Sequence, residues 1–397
     1  MINIQDRSQC CGCSACLHIC PKHSISFKED KEGFLYPEID TKTCVDCGLC
    51  EKVCPVINQN DERLPLKVFA AKHPDDEIRM SSSSGGIFTL LAEQIIDEGG
   101  VVFGAKFNEN WEVVHDFAET KEGLIPFRGS KYVQSRIGDA YVNAESFLKS
   151  GRKVMFTGTP CQIAGLKKYL RKEYENLLAV DFVCHGVPSP MVWRKYLEEE
   201  FARQGEAGKN TVLTSSKDIP VLTGINFRDK STGWKKYSFV LSFSKASDAG
   251  EQNSVLPSVF YENPYMNAFL ANLSLRPSCY ACPAKSGKSR ADITIGDFWG
   301  IENIRPDIDD DKGVSLILQY KEGLEYNIRC DLEPVDFEEA ILGNSCILSS
   351  VKKPINRDYY HYCISKNDCR ASLEKTTSSK IYDRCRRLIY RKLYGKK

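Results

Sequence analysis

The stretch Cys10-x2-Cys13-x2-Cys16-x3-Cys20-Pro21, repeated after a spacer as Cys44-x2-Cys47-x2-Cys50-x3-Cys54-Pro55, decides how the N-terminal part of this chain folds. Three thiolates at two-residue spacing can hold three corners of a cubic 4Fe-4S cluster, because the loop between them is tight enough to gather the sulfurs. The fourth corner needs a more distant sulfur, which in two-cluster ferredoxins comes from the opposite run. The spacing therefore assigns Cys10, Cys13, Cys16 and Cys54 to one cube, and Cys44, Cys47, Cys50 and Cys20 to the other. A disulfide framework or zinc knuckles is the competing reading. At this cysteine frequency, three further cysteines at fixed offsets arise by chance about once in ten thousand per run, and here they occur twice. Cys11 reads as a spectator, since as a ligand it would leave a single residue before Cys13.

The chain has 397 residues, 42% of them hydrophobic, and a formal charge of +1. That length calls for one further large domain or two of ordinary size beyond the cysteine module. Near-neutrality gives no case for a nucleic-acid partner. Thiolate clusters need a reducing compartment, Met1 to Gln9 is polar and unlike a signal peptide, and no apolar run approaches the roughly eighteen residues of a membrane span. A cytoplasmic protein is the expectation.

Residues 1–60 form the cluster module, with short strands over Ser24–Phe27 and Phe34–Ile39, and 61–67 a polar linker. From Val68 the pattern alternates. Strands are expected at Val68–Ala71, Val101–Phe107, Lys153–Thr157, Leu177–Val183, Asp292–Ile295 and Val314–Tyr320, with helices at Ile87–Asp97, Gln162–Leu170, Met191–Phe201 and Tyr265–Leu273. Gln204–Thr214 reads as a surface excursion, and Gly224–Arg228 with Lys236–Phe243 as a hairpin. The fold class is an α/β core of mixed sheet and helices, preceded by a small α+β bacterial-type two-cluster ferredoxin domain. Within the core the sequence suggests two parts, 68–145 and 146–350, and then a basic helical tail at 351–397.

Four cysteines at loop positions, Cys161, Cys184, Cys279 and Cys282, form a further constellation. Two follow strands and two have metal-ligand spacing, so they suit one more cube; two core thiols and a chance pair is the equally open alternative. The Ser81–Gly86 loop before a helix suits an anion, or is simply a capped helix start, and no G-x-G-x-x-G is present. His185 and Asp297 have plain readings as loop and turn residues. Cys330, Cys346, Cys363, Cys369 and Cys385 share no spacing and read as packing or surface thiols.

Six ordered motifs go further: Ser83-Ser84-Gly85-Gly86, Gly129–Ser135, Phe156–Gln162, Cys184–Pro190, Arg276–Cys282 and Gly296–Gly300. The chain from Val68 to about Ile301 resembles the family of coenzyme F-420 hydrogenase and dehydrogenase beta subunits, which includes the 7-hydroxymethyl chlorophyll a reductases. The resemblance implies FAD in the α/β core with a 4Fe-4S cluster beside it. It makes Cys161, Cys184, Cys279 and Cys282 ligands of a third cube, and Ser83, Ser84, Gly85, Gly86, Lys131, Tyr132, Gln134 and Thr159 flavin neighbours. Lys131 and His185 become the candidate catalytic residues, with Lys131 suited to stabilise an anionic reduced ring.

A flavin between clusters and an organic substrate converts single electrons into pairs. The implied activity is an oxidoreductase exchanging a hydride with a deazaflavin or another organic substrate. Open beside it stand a biosynthetic reductase acting on a glycan or isoprenoid-type intermediate, and a pure electron carrier docking to a partner oxidoreductase. The implied partners are a redox protein, such as a ferredoxin or an oxidoreductase subunit in a homo- or hetero-oligomer, and a small-molecule hydride donor or acceptor. Residues 380–397 carry eight Lys or Arg against one acid, a composition that also suits contact with a membrane surface.

Overall fold

The structure is a computed structural model that describes residues 2, 4, 6–207, 221–247, 250–324 and 328–377. The basic segment 380–397 and most of the expected excursion after Gln204 lie outside the described residues.

Both cysteine runs turn through left-handed residues into short helices. Ser14 (φ 67°) precedes α1 (Ala15–Ile19), and Gly48 (φ 71°) precedes α2 (Leu49–Lys52). Strands β1 (Ile25–Glu29) and β2 (Leu35–Ile39) pair antiparallel with Ile25 opposite Ile39. Cys16 and Cys54 pack with Ile2 and Ile25 in one small apolar nucleus, against which Cys20 and Cys50 also lie.

The remainder is built on one eight-stranded mixed sheet in the order β13-β3-β12-β11-β7-β6-β4-β5. In chain order its first strands and their helices are β3 (Lys67–Ala71), α3 (Asp76–Met80), α4 (Ile87–Asp97), β4 (Val101–Phe107) and β5 (Val113–Ala118). Then follow α5 (Ala140–Lys149), β6 (Val154–Gly158), α6 (Pro160–Leu170), β7 (Leu177–Phe182) and α7 (Pro190–Ala207). A separate antiparallel sheet of β8 (Val221–Asp229), β9 (Ser238–Ser247) and β10 (Gly250–Val259) precedes α8 (Pro264–Leu270). The chain returns through β11 (Ile293–Asp297), α9 (Ile301–Ile304), β12 (Ser315–Gln319), β13 (Leu332–Pro334) and α10 (Phe337–Gly343), and the described residues end with α11 (Arg357–Ile364) and α12 (Cys369–Thr377).

Strands β4, β6, β7 and β11 run parallel in the middle of the sheet. Their sequences explain that position: Val101–Phe103 and all five residues of β6 are buried, the continuous apolar run of a strand covered on both faces. Helices α5 and α6 cover one face around Phe103, Tyr141, Phe156 and Leu166. Helix α4 covers the other, where its Leu90 and Leu91 join Ile317 of β12 in one cluster.

The two parts of the core, 68–145 and 146–350, share one sheet, since β4 lies between β5 and β6 and β3 pairs with β12. The expected boundary at 351 needs correction, because Tyr360, Ile364 and Cys369 of α11 and α12 join the core cluster of Trp193 and Tyr265. The linker 61–67 is docked on the core: Arg63 N donates to Ser286 O at 3.0 Å and Leu66 N to Gln319 O at 2.7 Å. Strands β5 and β10 have no counterpart in the sequence reading, as Gly250–Val259 mixes polar residues and a proline without clean alternation.

The cysteine module is seated on the core by two buried arginines. Arg276, 1% exposed, donates from Nε to Cys10 O (2.7 Å), from Nη1 to Gln134 Oε1 (2.8 Å) and from Nη2 to Leu35 O (2.9 Å). Its guanidinium also lies over the Tyr36 ring, 4.4 Å from the centroid. Arg357 forks onto both Glu32 carboxylate oxygens (3.2 and 2.5 Å) and donates to Leu275 O at 2.7 Å. Breaking a buried pair leaves an uncompensated charge, so Arg357→Met is expected to lower stability by about 3–5 kcal/mol. Denaturant melts of anaerobically purified protein measure it. The double variant Glu32→Gln/Arg357→Met should recover part of the loss, and a single variant as stable as wild type would refute the role given to this pair.

Candidate functional site

The loops leaving the carboxyl ends of the parallel strands enclose a partly open cleft of about 380 Å³, within the ~300–1,000 Å³ range of small-molecule and cofactor sites. Such a crevice is where open α/β sheets bind ligands. Its walls take Thr157–Thr159 from the end of β6, Asp181–Pro188 after β7, Ile295–Asp297 from β11 and the Ser82–Ser84 loop with the start of α4.

The first turn of α4 follows Gly86 in the left-handed conformation (φ 88°), with no side-chain cap. Its backbone N–H groups are therefore left for an anion. Ser83 ties this loop to its neighbour, its Oγ accepting from Ser130 N (2.7 Å). Lys131 is half-buried on the cleft wall, and its Nζ donates to the carbonyls of Pro126 (2.7 Å), Arg128 (3.0 Å) and Gly129 (3.1 Å). Burial pulls its pKa down to about 7, while three carbonyl oxygens favour the charged form. Thr159 and Gln162 close a capping box at the start of α6, and the Thr159 hydroxyl also lies 3.2 Å from Cys161 Sγ.

Not every expected residue reaches the cleft. Ser83, Ser84, Gly86, Lys131, Tyr132, Thr159 and His185 line it. Gly85 instead packs against the sheet, where an added Cβ would meet Ala71 O at 2.6 Å. Gln134 is in the seam with the cysteine module, donating to Cys11 O (3.2 Å) and accepting from Arg276. His185 Nε2 pairs with Asn272 Oδ1 at 2.6 Å, and Nδ1 lies 3.9 Å from Cys346 Sγ.

Several cleft residues escaped the sequence reading. Arg228 of β8 pairs with Asp297 (2.7 Å) and reaches the Tyr132 hydroxyl (3.1 Å). It lies between the Tyr237 and Trp299 rings, 4.0 and 5.2 Å from their centroids. Burial works against this guanidinium, and Asp297 more than restores its charge. Asp181, buried at the end of β7, is pushed up to about 6 by desolvation, against hydrogen bonds from Ser289 and Thr294. His115 of β5 is buried, with Nε2 3.0 Å from Thr157 O, and burial holds its pKa down to about 4. Nε2 is thus the donor, and the acceptor Nδ1 has no partner among the described residues. A lone buried arginine or histidine on a strand has no sequence signature; only the tertiary fold shows what surrounds it.

Cys161, Cys184, Cys279 and Cys282 line one small cavity behind the cleft. Thr159 Oγ1 touches the Cys161 sulfur, and Val187 N donates to Cys279 Sγ at 3.4 Å. Burial pushes Cys279 up to about 12 and Cys282 to about 11, so these thiols keep their protons unless a metal centre replaces them. Arg276 opposes the rise at Cys161 and Cys279, and Lys285 at Cys184 and Cys282. Among the described residues no three such side chains converge closely enough for one metal ion. A cube spreads its four thiolates over four irons, so convergence on a cavity suits it. The stretch Cys184–Val187 lines both cavity and cleft. Cys11 lines the cavity too.

The donor sets fit the implied groups. Four half-buried thiols around one cavity suit a cube. An uncapped helix start, an unpartnered buried acceptor at His115, and aromatic walls at Tyr132, Tyr237 and Trp299 suit a nucleotide-bearing planar ring.

Comparison with known proteins agrees with this division of the chain. Residues 9–58 match the 4Fe-4S dicluster domain. Residues 68–140 and 151–325 match the N-terminal and C-terminal regions of the coenzyme F420 hydrogenase/dehydrogenase beta subunit. An F(420)H(2) dehydrogenase component of Methanosarcina mazei is 27% identical over 188 residues, 44% of this chain and 53% of that protein. The coenzyme F420-dependent sulfite reductase of Methanocaldococcus jannaschii is 25% identical over 199 residues, 49% of this chain and 30% of the other. The chain thus spans about half the length of the first of these and less of the second. A structure of the F420-reducing [NiFe] hydrogenase complex from Methanosarcina barkeri covers 79% of this chain and 91% of its own at 18% identity, with a TM-score of 0.42.

The cleft histidine makes a pH prediction. With its folded pKa near 4 and an unfolded value near 6.5, the unfolded chain binds the extra proton between those limits. The contribution of the neutral ring is complete above about pH 6.5 and is lost as pH falls toward 4. His115→Gln should flatten this acid limb by up to about 3 kcal/mol. Asp181 has the opposite sign, binding its proton more readily when folded, and is common to both proteins. Parallel limbs in urea titrations across this range would rule out a neutral buried ring.

Proposed function

Because the chain belongs to the family of coenzyme F420 hydrogenase/dehydrogenase beta subunits, we propose that it is an FAD-dependent iron–sulfur oxidoreductase passing electrons between its dicluster domain and an organic hydride donor or acceptor, of which coenzyme F420 is the leading candidate. The observation that carries this reading is the shared wall: Cys184–Val187 separates a four-cysteine cavity from the cleft and belongs to both.

The eight cysteines of the doubled run would hold two cubes and Cys161, Cys184, Cys279 and Cys282 a third. Cys10, Cys13, Cys16 and Cys54 are buried, whereas Cys47 is exposed and Cys20, Cys44 and Cys50 half-buried. The second cube is therefore the one that faces a redox partner protein, and the first lies inward toward the core.

FAD, when bound, supplies the exchange between single electrons and electron pairs. The chain's own groups prepare its place. The open start of α4 with Ser83, Ser84 and Gly86 receives a diphosphate. His115 offers one fixed acceptor, and Tyr132 an aromatic wall whose hydroxyl is held by Arg228. Lys131 places a positive charge on the cleft wall with its donors already occupied, which suits charge stabilisation rather than proton transfer. His185 touches both compartments and is held by Asn272, so it positions the wall between them.

Anaerobic reconstitution is expected to give about twelve irons and one flavin per chain, four irons for each cube. About eight irons with a flavin would remove the third cube, and absence of flavin would remove the cleft assignment. The reconstituted protein should then be oxidised or reduced by one member of a panel of deazaflavin, NADH, NADPH and reduced ferredoxin, followed in the visible spectrum. Bleaching by ferredoxin alone would instead favour a pure electron carrier.

A further inference from the structure

Lys230, the residue that follows β8, is 4% exposed and lies in none of the motifs that mark the cleft in the sequence. Its Nζ donates to three carbonyls from three segments: Arg79 O of α3 (2.8 Å), Ser84 O of the turn before α4 (2.6 Å) and Lys312 O (2.7 Å). Three acceptors take up the full donor capacity of an ammonium.

The segment around Lys312 is itself fixed. Arg79, 3% exposed, donates from Nε to Gly313 O at 2.8 Å and forks onto the Asp310 carboxylate. Gly313 adopts φ +104°, and a Cβ there would stand 2.8 Å from both Lys230 Nζ and Ser84 O. The backbone at this position leaves just enough room for the lysine to reach the turn.

The turn before α4 is thereby held from behind. Ser84 Oγ donates to Val314 O (3.0 Å), Gly85 N to Ser315 Oγ (3.0 Å), and Gly85 O accepts from His73 N (2.6 Å). Ser82, Ser83, Ser84 and Gly86 line the cleft, whereas Lys230 does not, so the ammonium draws Ser84 O to the far side of the turn. A carbonyl oxygen on the near side would repel an anion. Drawn away, it leaves the N–H groups at the start of α4 to face the cleft.

A separate observation points to a ligand in that cleft. Arg228, two residues before Lys230 and 4% exposed, lines it with Nε unpartnered among the described residues, and His115 lines it with Nδ1 unpartnered. Buried polar groups left unpaired on one cleft call for an occupant that pairs them.

We propose that Lys230 is the positioning residue of the diphosphate turn: by holding Ser84 O away from the cleft it keeps the start of α4 open to the diphosphate of FAD, and so lets the chain prefer FAD to riboflavin through a side chain that touches neither. A turn ordered in advance adds affinity because binding no longer has to order it. This inference rests on the reading of the cleft given above.

The iron–sulfur protein is reconstituted anaerobically without flavin, and binding of FAD and of riboflavin is measured by equilibrium dialysis for wild type, Lys230→Met and Lys230→Gln. Wild type should bind FAD more tightly than riboflavin. Lys230→Met should weaken FAD by about tenfold, the loss of one charge-assisted hydrogen bond, and leave riboflavin unchanged. Should that variant fail to fold, Lys230→Gln, whose amide keeps two donors, takes its place, and its preference for FAD should still fall. Equal weakening of both flavins would make Lys230 a general support of the fold and overturn the inference, as would a variant that keeps the full preference for FAD. A wild type that binds riboflavin as tightly as FAD would instead remove the diphosphate from the start of α4, and the inference with it.

Discussion

One buried guanidinium holds the two halves of this molecule in register. Arg276 fills the seam with three donors on three carbonyl-type acceptors, two of them main-chain oxygens of the cysteine module. Cys10 O, in a buried bond, would otherwise lose this partner, a cost of roughly 1–3 kcal/mol. Arginine suits the place because its rigid fork serves several acceptors at once and its face accepts the Tyr36 ring. From that fixed seam follow the approach of Cys13 to Gly165, the placement of Cys11, and the distance between the dicluster domain and the cavity in the core.

The core prepares the other side by strand order. Four parallel strands end together, and the segments leaving β6, β7 and β11 line the same crevice. Chemistry is thereby sorted by layer. The β6 and β7 loops contribute Cys161 and Cys184, the segment before β11 contributes Cys279 and Cys282, and the loop before α4 contributes an open helix start. The antiparallel β8–β10 sheet, packed through Phe227, Phe239 and Phe243 in the cluster of Trp193, brings Arg228 over the cleft from outside the parallel set.

The sequence makes the cysteine sites legible because ligand spacing in a tight loop is local information. It also makes the central strands legible, since β6 is buried on both faces and its run Val154–Gly158 is correspondingly apolar or small. Contacts across the chain are less accessible. Gln134 lies within a recognised motif, yet its partners are Cys11 and Arg276, more than a hundred residues away in each direction. Spacing describes the neighbours of Cys11 along the chain and not the cavity it shares with Cys161 across the seam. The helices at Arg357–Ile364 and Cys369–Thr377 read as a tail because their burial depends on Trp193 and Tyr265, residues the local pattern does not connect to them.

The electrostatics of the cavity explain why the seam residue is also a site residue. Were the four thiols of the cavity ionised, they would repel one another, and desolvation would add to the cost. Two cations oppose it in a divided arrangement: Arg276 acts on Cys161 and Cys279, and Lys285 on Cys184 and Cys282. Lys285 is itself anchored by the carbonyls of Cys184 and Cys346, so its charge is held at the cavity wall. The same Arg276 reaches Cys10 O in the dicluster domain. Removing the module would therefore expose the cavity and withdraw partners from one of its two compensating charges. Arg276 in this way serves both the docking of the cysteine module and, together with Lys285, the charge balance of the cavity.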